Sequence, residues 1–127
     1  MITDERMSTF NDSLKSGNTP LLDQIEREAK QTNVPIIRTQ TQGLIKFLLA
    51  MRKPMSILEV GCAIGFSALL MSEYAPEGCK ITTIEKYEKR IPIARENFRR
   101  AGKEASITLL EGDAADILKE LDGSYDF

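Results

Sequence analysis

The stretch Ser56-Ile57-Leu58-Glu59-Val60-Gly61-Cys62-Ala63-Ile64-Gly65-Phe66-Ser67 decides the fold. A short apolar run ends in a turn of small residues, and an apolar helical pattern opens at Phe66. This is the strand, glycine turn and helix on which nucleotide-binding α/β domains are built. Glycine suits the turn because it has no Cβ, so the backbone can bend sharply and lie close to a ligand. The helix behind it turns free N–H groups and a partial positive charge toward the same place. A dinucleotide fingerprint needs glycine at the first, third and sixth positions of the turn, which here are Gly61, Ala63 and Phe66. A close pyrophosphate approach is therefore disfavoured. The pattern that stands instead is Glu-x-Gly-x-Ala-x-Gly, from Glu59 to Gly65. A tight strand-to-helix turn that binds nothing is the alternative reading.

Outward from this turn, strands and helices alternate. The first strand is expected over 56–60 and its helix over 65–75, closed by the turn Ala75-Pro76-Glu77-Gly78. A second strand is expected over 80–84, with Glu85 at its C-terminal end. The helix after it shows Ile91, Ala94, Phe98 and Ala101 on one face, starts or kinks at Pro92, and has Gly102 as its C-cap. A third strand over 106–110 runs into the turn Glu111-Gly112-Asp113 and a short helix over 114–121. Tyr125-Asp126-Phe127 reads as the first residues of a fourth strand. Such alternation predicts a parallel sheet, whose ligands bind at the C-terminal ends of the strands.

Upstream, residues 1–18 read as an amphipathic helix ending at Ser16-Gly17-Asn18. Thr19-Pro20 is an N-cap with proline at the first helical position, followed by the stripe Leu21, Leu22, Ile25 and Ala29. Val34-Pro35-Ile36-Ile37 is an extended connector. Thr39 is expected to cap a third helix with Leu44, Ile45, Leu48 and Leu49 on its inner face.

The three strand ends offer Glu59 with Gly61, then Glu85, then Asp113. An acidic residue at the end of the second strand can accept from both hydroxyls of a ribose, and otherwise is a solvated carboxylate before a helix. Asp113 can accept from an adenine amino group while the backbone N–H of Ala114 donates to a ring nitrogen; equally, it can cap a helix. Ser67, in the first turn of its helix, can meet a ligand carboxylate or be an ordinary first-turn polar residue. The basic set Lys86, Lys89, Arg90, Arg95, Arg99, Arg100 and Lys103 spreads around its helix, which favours a solvated face over an RNA-contacting patch. Cys62 reads as a small filler in the turn, since nothing beside it would activate a thiolate.

Composition narrows the function classes. With 17 Lys and Arg against 19 Asp and Glu, net charge is −2, so no global basic field advertises nucleic acid. There is no His, which removes the commonest general base and metal ligand, and no metal set can be assembled from what is present. Two cysteines, far apart, suit a reduced, cytoplasmic protein. No apolar run approaches the roughly 20 residues of a membrane span, and the acidic, polar start is no signal peptide.

The set Leu58 to Ala68, Thr82-Thr83-Ile84-Glu85 and Glu111-Gly112-Asp113-Ala114 resembles the catechol-type, cation-dependent O-methyltransferases, which use S-adenosylmethionine (SAM). With Gly17-Asn18-Thr19-Pro20 and Val34-Pro35-Ile36-Ile37-Arg38, it looks most like the bacterial enzymes that methylate 5-hydroxyuridine in tRNA. The resemblance implies a Rossmann-like α/β fold, with a helical segment over 1–53 and the N-terminal half of a SAM-binding domain over 54–127. It implies that Glu59 belongs to the cofactor site, that Gly61 and Gly65 lie under the methionine part of SAM, and that Ser67 contacts its carboxylate. Glu85 would hold the ribose, Asp113 and Ala114 would frame the adenine, and Ile37 would pack against the cofactor from the N-terminal segment. Phe66 stands where the family often has tyrosine. The acceptor would be tRNA or a small phenol, and the protein a homodimer. The family's Mg2+ ligands follow its fourth strand, about where this chain stops at Phe127. The resemblance therefore covers the N-terminal part of such an enzyme, expected to be inactive by itself. A nicotinamide-dependent oxidoreductase, weakened by Ala63 and Phe66, and a non-catalytic interaction module are the competing readings.

Overall fold

A computed structural model describes residues 4–13 and 17–127. Its elements run α1 (Glu5–Ser13), α2 (Pro20–Gln31), α3 (Thr39–Arg52), β1 (Ser56–Val60), α4 (Phe66–Tyr74), β2 (Lys80–Glu85), α5 (Ile91–Arg100), β3 (Ile107–Glu111) and α6 (Ala114–Glu120). Of the expected end of the first helix, Ser16-Gly17-Asn18, Ser16 lies outside the described residues, and Gly17 and Asn18 are non-helical.

The local signals at α2 act as expected. Thr19 Oγ1 accepts the backbone N–H of Leu22, and Pro20 opens the helix. Leu22, Ile25 and Ala29 are buried, and Leu21 is half-buried. At α3 two expectations are corrected. The N-cap is Arg38, whose extended backbone continues the connector, and its carbonyl receives the N–H of Gln42, so Thr39 is already helical. Leu44 and Leu48 are exposed, because the inner face is set by Gln42, Ile45 and Leu49 instead. Gln42 is the reason. Its buried amide donates to the Ile37 carbonyl (3.0 Å) and to Glu26 Oε1 (3.4 Å), and accepts from Asn18 (3.0 Å). A polar residue that ties α2, the connector and α3 together outranks two leucines for the inward position, since a buried amide without partners is costly.

The sheet is parallel, in the order β1-β2-β3. Cα partners run Ile57↔Ile81↔Ile107 and Glu59↔Thr83↔Leu109 across the three strands. Ile57, Ile81, Ile107 and Leu109 join one apolar core with Phe66, Ala68, Leu69 and Leu70 of α4, Ala94 and Phe98 of α5, and Leu22, Ile25 and Leu49 of the upstream helices. Period-two alternation sends Leu58, Val60, Thr82, Ile84 and Leu110 to the other face, where α6 packs on β2. On the far side of β1, Phe127 donates to the Ser56 carbonyl (3.3 Å) and accepts from the Leu58 N–H (3.0 Å), the bond pattern of a parallel neighbour.

Three further boundaries differ slightly from expectation. β2 runs on through Glu85, β3 starts at Ile107, and α5 starts cleanly at Ile91 with Pro92 in its first turn. Gly102 lies one residue past the C-cap Ala101, at φ +63°. There the Lys103 N–H reaches back to the Phe98 carbonyl (2.9 Å), the 6→1 bond of a Schellman ending.

Candidate functional site

The turn after β1 is held left-handed at three points: Gly61 (φ +85°), Ala63 (φ +50°) and Gly65 (φ +87°). The two glycines differ in what surrounds them. A Cβ at Gly61 would meet nothing within 4 Å, whereas one at Gly65 would lie 2.6 Å from Cε1 of Phe98. Gly61 is thus the open position, and the bare side of Gly65 is used to seat α5. Asn97, buried beside Phe98, donates its amide to the Ile64 carbonyl (2.8 Å) and fixes the turn from behind.

Glu85 closes the front. The residue is 7% exposed, and its carboxylate accepts three backbone N–H groups: Ala63 on Oε2 (2.8 Å), and Lys86 (3.0 Å) and Tyr87 (2.8 Å) on Oε1. A carboxylate offers about four acceptor positions, so one remains on Oε2 for a ligand hydroxyl. Glu59 lies opposite Thr83 in the ladder and receives its hydroxyl on Oε1 (2.6 Å), while the Ser67 hydroxyl donates to Oε2. Burial pushes the Glu59 carboxyl above its ordinary value, against the pull of those two hydroxyls, and the charge of Glu85 adds to the rise. Burial and the nearby Glu59 push the Cys62 thiol up to about 12, so it is no thiolate near neutral pH, consistent with a filler.

At the third strand end, Asp113 caps α6 through the Ala115 N–H (2.9 Å) and pairs with Lys86 Nζ (3.2 Å). The Ala115 N–H, then Lys86, hold the Asp113 carboxyl below its ordinary value. A cavity of about 240 Å³ lies over these strand ends, lined by Val60, Gly61, Ile84, Glu85, Lys86, Gly112, Asp113 and Ala114. Four of the residues expected from sequence, Gly61, Glu85, Asp113 and Ala114, therefore meet in one place. Glu59 and Ser67 stand behind the turn, joined to each other, and Gly65 is in the turn itself. Ile37 lines a separate cavity of about 400 Å³ with Lys30, Arg38 and Gln40.

From sequence Lys86 reads only as part of a charged face, Val60 and Thr83 enter only as members of the quoted motifs, and nothing marks Asn97. Thr83 carried a usable signal, because alternation puts it on the face of Ile81 and Glu85. The solvated reading of α5 fits its ion pairs: Arg95 with Glu111 (2.6 Å), Arg99 with Glu96 (2.6 Å) and Arg100 with Glu28 (3.0 Å). No group of three or more His, Cys, Asp or Glu that could hold a metal exists among the described residues. Nor, among them, is any helix long and apolar enough to cross a membrane.

Comparison with known proteins bears on the family and the fold. The family model described as O-methyltransferase matches residues 12–127. The chain belongs to the O-methyltransferase family. A protein-L-isoaspartate O-methyltransferase of Methanococcoides burtonii is 36% identical over 73 residues, 58% of this chain and 36% of its own. A catechol O-methyltransferase of Niastella koreensis is 33% identical over 81 residues, 63% of this chain and 37% of its own. Among solved structures, the methyltransferase PaMTH1 of Podospora anserina, determined with SAH bound, superposes with a TM-score of 0.83 at 30% identity. That match covers 95% of this chain and 53% of the other. The chain thus spans about half the length of that methyltransferase and little more than a third of the two curated relatives. Its α/β architecture is the Rossmann-like methyltransferase fold.

Proposed function

We propose that this chain is the adenosyl-binding part of a SAM-dependent O-methyltransferase. The observation that supports it best is the convergence of Gly61, Glu85, Asp113 and Ala114 on one cavity at the ends of three parallel strands. At about 240 Å³ that cavity is smaller than the roughly 300–1,000 Å³ of a complete drug-sized site, so it suits the nucleoside portion of a longer ligand. Among the described residues the one cation in its lining, Lys86, is already paired with Asp113, which disfavours a ligand carrying phosphates.

Each residue then has a task. Glu85 accepts a ribose hydroxyl on its remaining position. Asp113 accepts from the adenine amino group while capping α6, so its two readings coexist in one side chain. The Ala114 N–H donates to a ring nitrogen. The bare backbone at Gly61 lets the ligand lie on the turn, and the first turn of α4, with Ser67, receives the carboxylate end. SAM, when bound, supplies a sulfonium methyl for in-line transfer to an oxygen. Ile37 stays outside this assignment, since it lines the other cavity, and no step is assigned to Mg2+.

For the acceptor, a small phenolic hydroxyl fits better than the 5-hydroxyuridine of tRNA. Arg95, Arg99 and Arg100 are engaged by carboxylates, which leaves α5 poorly suited to phosphates. We also propose self-association through α1 and α3, which expose Met7, Phe10, Leu44, Phe47 and Met51; light scattering at a single-chain mass would count against it. The functional test is equilibrium dialysis of the chain against methyl-labelled SAM: saturable retention supports the reading and no retention removes it, while transfer of label to a catechol or to unmodified tRNA would overturn the expectation that the chain is inactive by itself.

A further inference from the structure

Glu59 is held by two hydroxyls that differ in one respect. Ser67 is half-buried in the first turn of α4. Thr83 is fully buried (0% exposed) in the central strand, out of reach of any ligand. Parallel register sets its Oγ1 opposite Glu59, at 2.6 Å from Oε1. A buried hydroxyl in a strand costs free energy unless it is bonded, and this one spends its proton on Glu59.

We propose that Thr83 is a positioning residue of the adenosyl site: it keeps the Glu59 carboxylate charged and fixed behind the glycine turn, while Ser67 is the donor released to a bound ligand. This rests on the site being one for SAM. That ligand carries a sulfonium and an ammonium against one carboxylate, so it gains from a fixed negative charge behind the turn. When the ligand's carboxylate takes the Ser67 proton, Glu59 keeps one donor and stays oriented. The charged or titratable groups facing Glu59 are Glu85 at the end of β2, whose charge disfavours the ionised form, and Cys62 in the turn, a thiol that burial and Glu59 itself push up. The donors that oppose them are Ser67 of α4 and Thr83 of β2. Removing the Thr83 hydroxyl therefore makes Glu59 easier to protonate.

Calorimetric titration with S-adenosylhomocysteine and with SAM, between about pH 5 and pH 9, tests this on the full chain and on Thr83→Val and Thr83→Ser. Thr83→Val is expected to weaken SAM binding about tenfold at neutral pH, the scale of one hydrogen bond to a charged group, and to move the acid limb of the affinity profile to higher pH. Thr83→Ser should restore both to within about threefold. If Thr83→Val does not fold, Thr83→Ala reads out the same limb. An acid limb unchanged in a folded variant that binds normally overturns the role of Thr83, while loss of binding in Glu85→Ala would leave the site itself standing. No binding by the unaltered chain overturns both.

Discussion

Replacing Gly65 by alanine strikes the turn where backbone and packing constraints coincide. At φ +87° an L side chain sits in the left-handed region, at a cost of about 1–2 kcal/mol. The new Cβ would also lie 2.6 Å from Cε1 and 3.0 Å from Cζ of Phe98. Phe98 is only 3% exposed and packed in the core, so its ring has no room to swing aside. Overpacking of this kind adds about 1–3 kcal/mol. Gly65→Ala should thus destabilise by about 2–5 kcal/mol, a large share of the roughly 5–15 kcal/mol of a small domain. Gly61→Ala has a similar φ, +85°, but no neighbour within 4 Å, so only the backbone cost applies, about 1–2 kcal/mol. Urea unfolding followed by circular dichroism measures both. Combining Gly65→Ala with Phe98→Leu should cost less than the two single changes added together, because the clash is shared. Equal destabilisation at the two glycines, or strict additivity with Phe98→Leu, would refute the distinction between an open and a packed glycine. The ligand side reverses the order: Gly61→Ala, mild in stability, should lose most of its SAM affinity.

Other perturbations have equally definite outcomes. Burial raises Glu59 above its ordinary 4.5, so between that value and its folded one the native state binds more protons than the unfolded chain. Stability relative to Glu59→Gln should therefore fall as pH rises through that window; a difference independent of pH in urea titrations would contradict this. Asp113 is shifted the other way, so its contribution is present above 3.8 and disappears as pH falls through the lower folded value. The gap between the unaltered chain and Asp113→Ala should close there, and a gap that persists in acid would rule the cap out as its source. Arg100 binds Glu28 through both terminal nitrogens (3.0 and 3.1 Å) and also donates to Asn97 (2.9 Å). After allowance for solvent screening, Arg100→Ala should cost about 0.5–1 kcal/mol, less at high salt; a salt-independent cost would point to packing instead.

Much of this was readable from residues in a row. Thr19-Pro20 announced α2, Gly61 to Phe66 announced the turn, and strands separated by amphipathic helices announced a parallel sheet. These signals are local, carried by backbone preference and by period. What escaped the sequence is set by register and side-chain competition. Glu59 and Thr83 are 24 residues apart, and only the pairing of β1 with β2 makes them neighbours. Gly61 and Gly65 look alike in the motif until α5 brings Phe98 against one of them. Leu44 and Leu48 of α3 looked like an inner face, but Gln42 had three polar partners waiting inside. Ile37 fits the extended connector as read, yet it borders a different cavity from Glu85.

The central claim is that the ends of β1, β2 and β3 form one adenosyl site. Titration of the chain with S-adenosylhomocysteine by calorimetry, beside Glu85→Ala, tests it most directly. Saturable heat at one site is expected, weakened at least about a hundredfold in Glu85→Ala, the scale of losing a charged acceptor that also orders three backbone N–H groups, one in the turn after β1 and two just after β2. No heat from the unaltered chain, or an undiminished affinity in Glu85→Ala, would contradict it.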